Sequence, residues 1–146
     1  MSMITAWATD TSGVVISTIS SARCVWEQTR EWAEQRVLFG RPLAKMQVTQ
    51  FKFVEMMTQI AAARELTYAC VRKRLANEDA TKEISMAKLF SGRMSRFVSD
   101  ECLQLHGGYG YMRESAAGRS FVDSRLISIG GGADEVMIHY LAKMFG

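Results

Sequence analysis

The sequence has little that interrupts a helix and little that builds a disulfide framework. It contains one proline, Pro42, and three cysteines, Cys24, Cys70 and Cys102, in 146 residues. An odd number of widely separated cysteines predicts neither a disulfide-stabilised fold nor a structural zinc site, and it favours a reducing compartment. With a single proline, long segments of the chain are free to form helices.

Long apolar runs and a concentrated basic patch are also missing. No apolar run reaches the roughly 18 residues that a membrane helix needs, and the net charge of +3 is spread along the chain. We therefore expect neither a membrane span nor a nucleic-acid partner. Residues 1–15 contain no Lys or Arg, which fits neither a secretory signal nor an Arg-rich transit peptide. We expect residues 1–15 to be a disordered leader or a truncated remnant, and residues 16–146 to form one domain.

Apolar residues, which make up 48% of the chain, recur at helical spacing. Intervals of three and four residues, as one helix face requires, occur at about 16–37, 47–75, 82–105 and 134–145. A shorter helical segment is expected at 116–125. Three long helices with a shorter terminal one predict an all-α fold, an up-down four-helix bundle.

The second of these helices carries two apolar stripes, one containing Phe51 and Val54 and the other containing Phe53 and Met56. Such a wide apolar face predicts a helix that is covered on more than one side. We therefore expect the chain to oligomerise, since one stripe would otherwise stay exposed. The closing helix is predicted to turn four residues inward, namely Val136, Tyr140, Leu141 and Met144.

Several kinds of catalytic site have no support in the sequence. A di-iron site in a helix bundle needs Glu-x-x-His pairs, but neither His106 nor His139 has a glutamate at that spacing. No metal site is predicted. The chain also contains neither the G-x-S-x-G motif of serine hydrolases nor a phosphate-binding P-loop sequence.

Two glycine clusters remain as candidate features. "HGGYGYM" (106–112) follows the third long helix, and "IGGGADE" (129–135) precedes the closing one. Glycines let another backbone or a flat ligand approach closely, and a helix N-terminus offers unpaired amides to an anion. Each cluster by itself is also typical of an ordinary turn between helices.

Four segments together closely resemble, in order and spacing, the C-terminal helical domain of acyl-CoA dehydrogenases. The resemblance runs from about Ile16 to the end of the chain, and the "FVDSR" and triple-glycine segments are closest to the long-chain and isovaleryl branches. The four segments are "RVLFGRPLAKMQ" (36–47), "KLFSGRMSRFVSDECLQLHGGYGYM" (88–112), "FVDSR" (121–125) and "IGGGADEVM" (129–137).

The resemblance implies a flavoprotein of three domains, in which FAD lies between the middle and last domains and across a dimer contact. Arg36 would meet the FAD phosphates of a neighbouring subunit, a contact suited to guanidinium geometry. Phe39 would pack near the cofactor, and Gln47 would bind its nucleotide half. The adenosine diphosphate portion would lie over a turn formed by Gln104, Leu105, His106, Gly107 and Gly108.

The same resemblance assigns the second glycine cluster to the substrate and the flavin. Gly131 and Gly132 would border the acyl thioester, while Ala133 and Glu135 would lie beside the flavin. Ala133 replaces the threonine that is usual in the family, so a hydroxyl donor is absent there.

The reaction implied is α,β-dehydrogenation of an acyl-CoA, in which a carboxylate removes the α-proton and flavin accepts a hydride. The family places this base at one of two positions, which correspond here to Gly131 and Asp10. Glycine cannot act as a base, and the sequence around Asp10 does not match the family pattern. We therefore assign no catalytic residue, although Asp10 stays a candidate for the second base position, and we expect no turnover by the chain alone.

Two interpretations follow. The chain is the C-terminal FAD-contacting and oligomerisation domain of an acyl-CoA dehydrogenase, or it is a non-catalytic helical interaction module that assembles with other dehydrogenase subunits. The first implies FAD as cofactor, acyl-CoA as substrate of the full-length enzyme and electron-transfer flavoprotein as electron acceptor. It also implies a homodimer or homotetramer in the cytoplasm or mitochondrial matrix.

Overall fold

The computed structural model describes residues 3–145 and confirms the all-α class. Two two-residue strands, β1 (Val37–Leu38) and β2 (Arg41–Pro42), form a short antiparallel hairpin between the first two helices. The helices of the described region are α1 (Met3–Gln35), α2 (Gln47–Leu75), α3 (Thr81–His106), α4 (Ala116–Ile127) and α5 (Asp134–Phe145).

The first helix is longer than the sequence predicts. It begins at Met3 and runs without a break through residues 15 and 16, where the sequence predicted the boundary between a disordered leader or truncated remnant and the domain. Burial explains the difference, because Thr11 and Val15 are almost completely enclosed. Asp10 lies within this helix, but its side chain is outside the described part of the structure. That residues 1–15 are a remnant of a longer chain stays a prediction.

The core lies between α1, α2 and α3, and α3 also packs against α4 and α5. Met56, Val98 and Cys102 have essentially no exposed surface. The face of α3 that meets the later helices is lined with small side chains, because Ser91, Gly92 and others are buried there. A Cβ added at Gly92 would lie 3.2 Å from the Ser128 hydroxyl, so glycine permits the close approach.

The two stripes of α2 have different environments. Phe53 and Met56 are buried in the core, whereas Phe51 and Val54 are 63% and 66% exposed. The outward stripe therefore leaves apolar surface uncovered in the isolated chain.

The closing helix α5 has the predicted bounds, but its predicted inner face is wrong at two of four positions. Leu141 is buried as expected, whereas Val136 and Met144 are exposed and Tyr140 is half-buried. The buried face consists of Asp134, Met137 and Leu141. The ion pairs of Asp134 with Arg93 and Arg96 of α3 lie on this buried face.

The junction of α2 and α3 is held by polar contacts. The Asp79 carboxylate accepts hydrogen bonds from the Thr81 backbone N–H, at 3.0 Å, and from its hydroxyl. These bonds lower the pKa of Asp79. Lys73 Nζ lies 2.6 Å from Glu83 Oε1 and joins the end of α2 to the start of α3.

Candidate functional site

The hairpin between α1 and α2 presents an exposed aromatic side chain. Phe39 and Gly40 form its two-residue turn, with φ of 52° and 77°, as expected for a turn that matches strand twist. A left-handed conformation is unfavourable for a bulky residue, yet Phe39 adopts it with 96% of its side chain exposed. Strain of this kind is typical of functional positions.

At the first glycine cluster, α3 ends at His106, and the three glycines that follow have different structural roles. Gly107 has a φ of 62°, which allows the chain to leave the helix. Gly110 permits a close return, since a Cβ there would lie 2.6 Å from the Leu103 carbonyl oxygen. A Cβ on Gly108 would meet no atom within 4 Å. The Gly108 backbone thus faces open space and is accessible to a ligand.

The end of α1, the start of α2 and the end of α3 together enclose a groove of about 540 Å³, hereafter the corner groove. Phe39 and Gln47 do not line it, although they are exposed and adjoin the lining residues Leu38 and Val48. Six of the predicted cofactor contacts do line it, namely Arg36, Gln104, Leu105, His106, Gly107 and Gly108.

The corner groove has groups that suit an anion. Arg36 forms no ion pair with any side chain described, residues 11–145, so its guanidinium is available to a ligand. α2 begins without a side-chain cap at Met46, and residues of its first turn line the groove. Uncapped amides and the positive end of the helix dipole attract phosphate. Lys52 also lines the groove but is paired with Glu101.

An aromatic cluster that sequence analysis missed forms one wall of the corner groove. The Trp32 ring is 5.1 Å from both the His106 and Tyr109 rings, with interplanar angles of 21° and 12°. The Trp32 indole nitrogen is buried and has no hydrogen-bond partner within the described region. The sequence contained one indication of this cluster: Trp32 precedes Arg36 by four residues, so the two side chains lie on the same helix face.

The second glycine cluster lies elsewhere on the molecule. Gly131 and Gly132 have φ of 63° and 103°, Ala133 is half-buried and Glu135 is exposed in the first turn of α5. The Gly132 carbonyl accepts a hydrogen bond from Lys88 of α3. Lys88 and Gln104 are separated along α3 by about 24 Å at 1.5 Å per residue. The predicted site residues therefore form two groups, near opposite ends of α3.

Charged groups near this second cluster form a structural network. Asp134 is buried, with Arg93 Nε at 3.6 Å and Arg96 Nη1 at 3.9 Å from its Oδ2 atom. Among the side chains that the structure describes, no group of three or more from His, Cys, Asp and Glu is arranged to hold a metal ion. None of the helices described is long and apolar enough to cross a membrane.

The chain is similar to known proteins over nearly its whole length. Residues 10–145 match the family described as "Acyl-CoA dehydrogenase, C-terminal domain". The 3-(aryl)acrylate reductase of Clostridium sporogenes is 38% identical over 131 residues, which are 90% of this chain and 35% of that protein. The mitochondrial long-chain specific acyl-CoA dehydrogenase of Sus scrofa is 34% identical over 125 residues, which are 86% of this chain and 29% of the relative.

Solved structures are similar in the same region. A probable acyl-CoA dehydrogenase from Mycobacterium abscessus superposes with a TM-score of 0.92 at 36% identity, over 96% of this chain and 37% of the other. The chain thus spans about a third of the length of the proteins that it matches.

Proposed function

Since the chain belongs to the acyl-CoA dehydrogenase family, whose C-terminal domain it matches over residues 10–145, we propose that it is the FAD-contacting and oligomerisation domain of such a flavoprotein. The whole protein would carry out α,β-dehydrogenation of an acyl-CoA thioester and pass electrons to electron-transfer flavoprotein. Its compartment would be the cytoplasm or the mitochondrial matrix.

The corner groove is the observation that carries this proposal. It combines the Arg36 guanidinium, which has no ion-pair partner among the described side chains, with the uncapped start of α2 and the open backbone of Gly108. A diphosphate needs cationic and amide donors, and a dinucleotide needs close backbone approach, which glycine allows. Gln104 adds a side-chain amide to the same wall. Together these groups fit the adenosine diphosphate portion of FAD.

The two groups of site residues would contact two different FAD molecules. The corner groove would hold the adenosine diphosphate portion of a neighbouring subunit's cofactor, with Phe39 and Gln47 beside it. The loop at Gly131 and Gly132 would border the thioester in its own subunit, and Ala133 and Glu135 would lie beside that flavin. The separation of about 24 Å along α3 supports this division, as does the exposed stripe of α2, which offers a contact surface for a homodimer or homotetramer.

Bound FAD would supply the hydride acceptor of the reaction. The residues of this chain would bind and orient the cofactor and border the substrate. Gly131 provides no carboxylate to remove the α-proton, and Asp10 stays a candidate outside the described side chains. We therefore propose that the chain alone does not turn over acyl-CoA. A measurable rate with a dye acceptor would contradict this.

A nucleotide titration tests the proposed site. We expect FAD and ADP added to isotope-labelled chain to shift the NMR signals of residues 104–109, and Arg36→Leu to remove the effect. Gly108→Ala should weaken binding without unfolding the chain, because its Cβ points to open space. The matched control is Arg125→Leu, which removes an exposed arginine from the last turn of α4. Shifts confined to other regions, or equal weakening by the control, would refute the assignment of the groove.

The absence of a carboxylate at Gly131 favours a second candidate function, that of a non-catalytic helical module which assembles with other dehydrogenase subunits. The coding sequence upstream of Met1 separates the two candidates. An open reading frame that encodes a β domain before α1 would support the dehydrogenase fragment.

A further inference from the structure

Lys88 is a buried cation in the first half of α3. Its side chain has no exposed surface, and its ammonium group donates a hydrogen bond to the backbone carbonyl of Gly132. Burial removes water from around the charge, which costs free energy and lowers the pKa of Lys88, while the nearby Asp134 carboxylate acts in the opposite direction. Methionine would fill a similar space without this cost. The ammonium group therefore needs a specific explanation.

The partner of Lys88 is a segment of unusually free backbone. Gly130, Gly131 and Gly132 follow one another between α4 and α5, and the last two have left-handed φ angles. Glycine loses more conformational freedom on folding than any other residue. A run of three glycines is consequently held in one conformation only where other groups fix it.

Other contacts hold the ends of this loop. The Asp134 backbone N–H donates to the Ser128 carbonyl at 3.1 Å, and Arg96 Nη1 donates to the Ser128 hydroxyl at 3.4 Å. Arg93 lies beside Asp134 on the same face of α3. Between these ends, Lys88 is the one side chain of the described region that forms a hydrogen bond with the glycine run.

We propose that Lys88 is a positioning residue for the acyl-binding loop, because its ammonium group holds the Gly132 carbonyl and so fixes the left-handed backbone of Gly131 and Gly132. The inference rests on the proposed function, in which Gly132 borders the thioester. The same hydrogen bond polarises the peptide group between Gly132 and Ala133, which strengthens the Ala133 N–H as a donor.

The substitution Lys88→Met tests the ammonium group separately from the packing of the side chain. Methionine keeps an unbranched chain but donates no hydrogen bond. The matched control is Lys143→Met, which removes an exposed charge from the last turn of α5. Three measurements are compared: the carbonyl-carbon resonance of Gly132, hydrogen exchange of the Asp134 amide that closes the loop, and helix content by circular dichroism.

In Lys88→Met we expect the Gly132 resonance to move upfield and exchange of the Asp134 amide to rise roughly tenfold, as for the loss of one charge-assisted hydrogen bond. Helix content and the exchange of α2 amides should stay unchanged, and the control should match the wild type. A folded Lys88→Met chain with an unchanged Gly132 resonance and unchanged Asp134 exchange would overturn the inference.

The wild-type chain offers a second measurement should the variant not fold. The Lys88 ammonium protons should exchange with water much more slowly than those of Lys143, because they are enclosed and bonded. Equal exchange rates would overturn the inference. Neither result depends on nucleotide binding, so failure of the FAD titration would refute the proposed function and leave the role of Lys88 in the loop separately tested.

Discussion

The indole ring of Trp32 and the imidazole ring of His106 are stacked with centroids 5.1 Å apart, and this contact joins the end of α1 to the end of α3. We expect Trp32→Ala to lower the free energy of unfolding by about 2 kcal/mol, since it removes a half-buried aromatic ring and its stacking partners. Urea unfolding measures this. Tyr111→Ala, at a position that is 86% exposed, should change stability by less than about 0.5 kcal/mol. Equal stability of the Trp32→Ala and wild-type chains would contradict the prediction.

Gly110 and Gly108 should respond differently to alanine. A Cβ at Gly110 would lie 2.6 Å from the Leu103 carbonyl oxygen and 2.8 Å from His106 Cβ, so Gly110→Ala should destabilise the chain by about 1–3 kcal/mol. Gly108→Ala meets no atom within 4 Å and should be neutral or stabilising by up to about 1 kcal/mol. Thermal unfolding compares the two variants. A Gly108→Ala chain less stable than the Gly110→Ala chain would contradict the close contact between Gly110 and the Leu103 carbonyl.

Acid should weaken the junction between α2 and α3. The hydrogen bond from Lys73 lowers the pKa of Glu83 below its usual value of 4.5. The ionised carboxylate therefore stabilises the folded state fully at pH values above 4.5. This stabilisation is lost as the pH falls through the lowered value. We expect Glu83→Gln to reduce stability at pH 7 and to flatten the decline in stability below about pH 4.5. A decline as steep in Glu83→Gln as in the wild type would assign the effect to other carboxylates.

The three free cysteines should differ in reactivity. Cys24 is exposed, whereas Cys70 and Cys102 are buried, and burial raises the pKa of the Cys102 thiol to about 11. Because the thiolate is the reactive form, an aromatic disulfide reagent at pH 8 should label one thiol rapidly and the other two only after unfolding. Cys24→Ser should abolish the rapid phase. A rapid phase that persists in this variant would mean that a buried thiol is accessible.

The exposed stripe of α2 should mediate self-association. Phe51→Asp with Val54→Asp places two charges on an apolar surface, so we expect the doubly substituted chain to sediment as a monomer at concentrations where the wild type associates. Val122→Asp, which adds a charge at a 69% exposed position of α4, is the control. A wild-type chain that stays monomeric at high concentration would refute the prediction.

Apolar periodicity predicted the helices well wherever the pattern is local. The bounds of α2 and α5 agree with the predicted segments, and the apolar residues of α3 lie on its inner face. The start of α1 could not be predicted, because residues 3–15 carry no strong apolar stripe of their own, and Val15 is buried in a core that helices distant in sequence complete. The rotation of α5 was missed for a related reason, since a buried Asp134 is fixed by arginines of α3 that are distant in sequence.

The turns of the candidate site were predictable where glycine allows a backbone conformation that other residues rarely adopt. The corner at Gly107 and Gly108 and the loop at Gly131 and Gly132 were both identified from sequence. Lys88 was not, because a lysine on a helix is ordinarily solvated and its contact with Gly132 spans 44 residues. Its spacing from Ile84, which places it on the buried face, was the one local indication.

The length of α3 sets the distance between the corner groove and the loop at Gly131 and Gly132. Each residue of a helix adds 1.5 Å and turns the chain by about 100°. An insertion of one residue between Lys88 and Gln104 would therefore rotate the corner groove by about 100° relative to the loop at Gly131 and Gly132. Substitutions along the middle of α3 change contacts close to the substituted residue, whereas insertions and deletions change geometry at a distance. Drift in the length of this helix would therefore be tolerated less than drift in its composition.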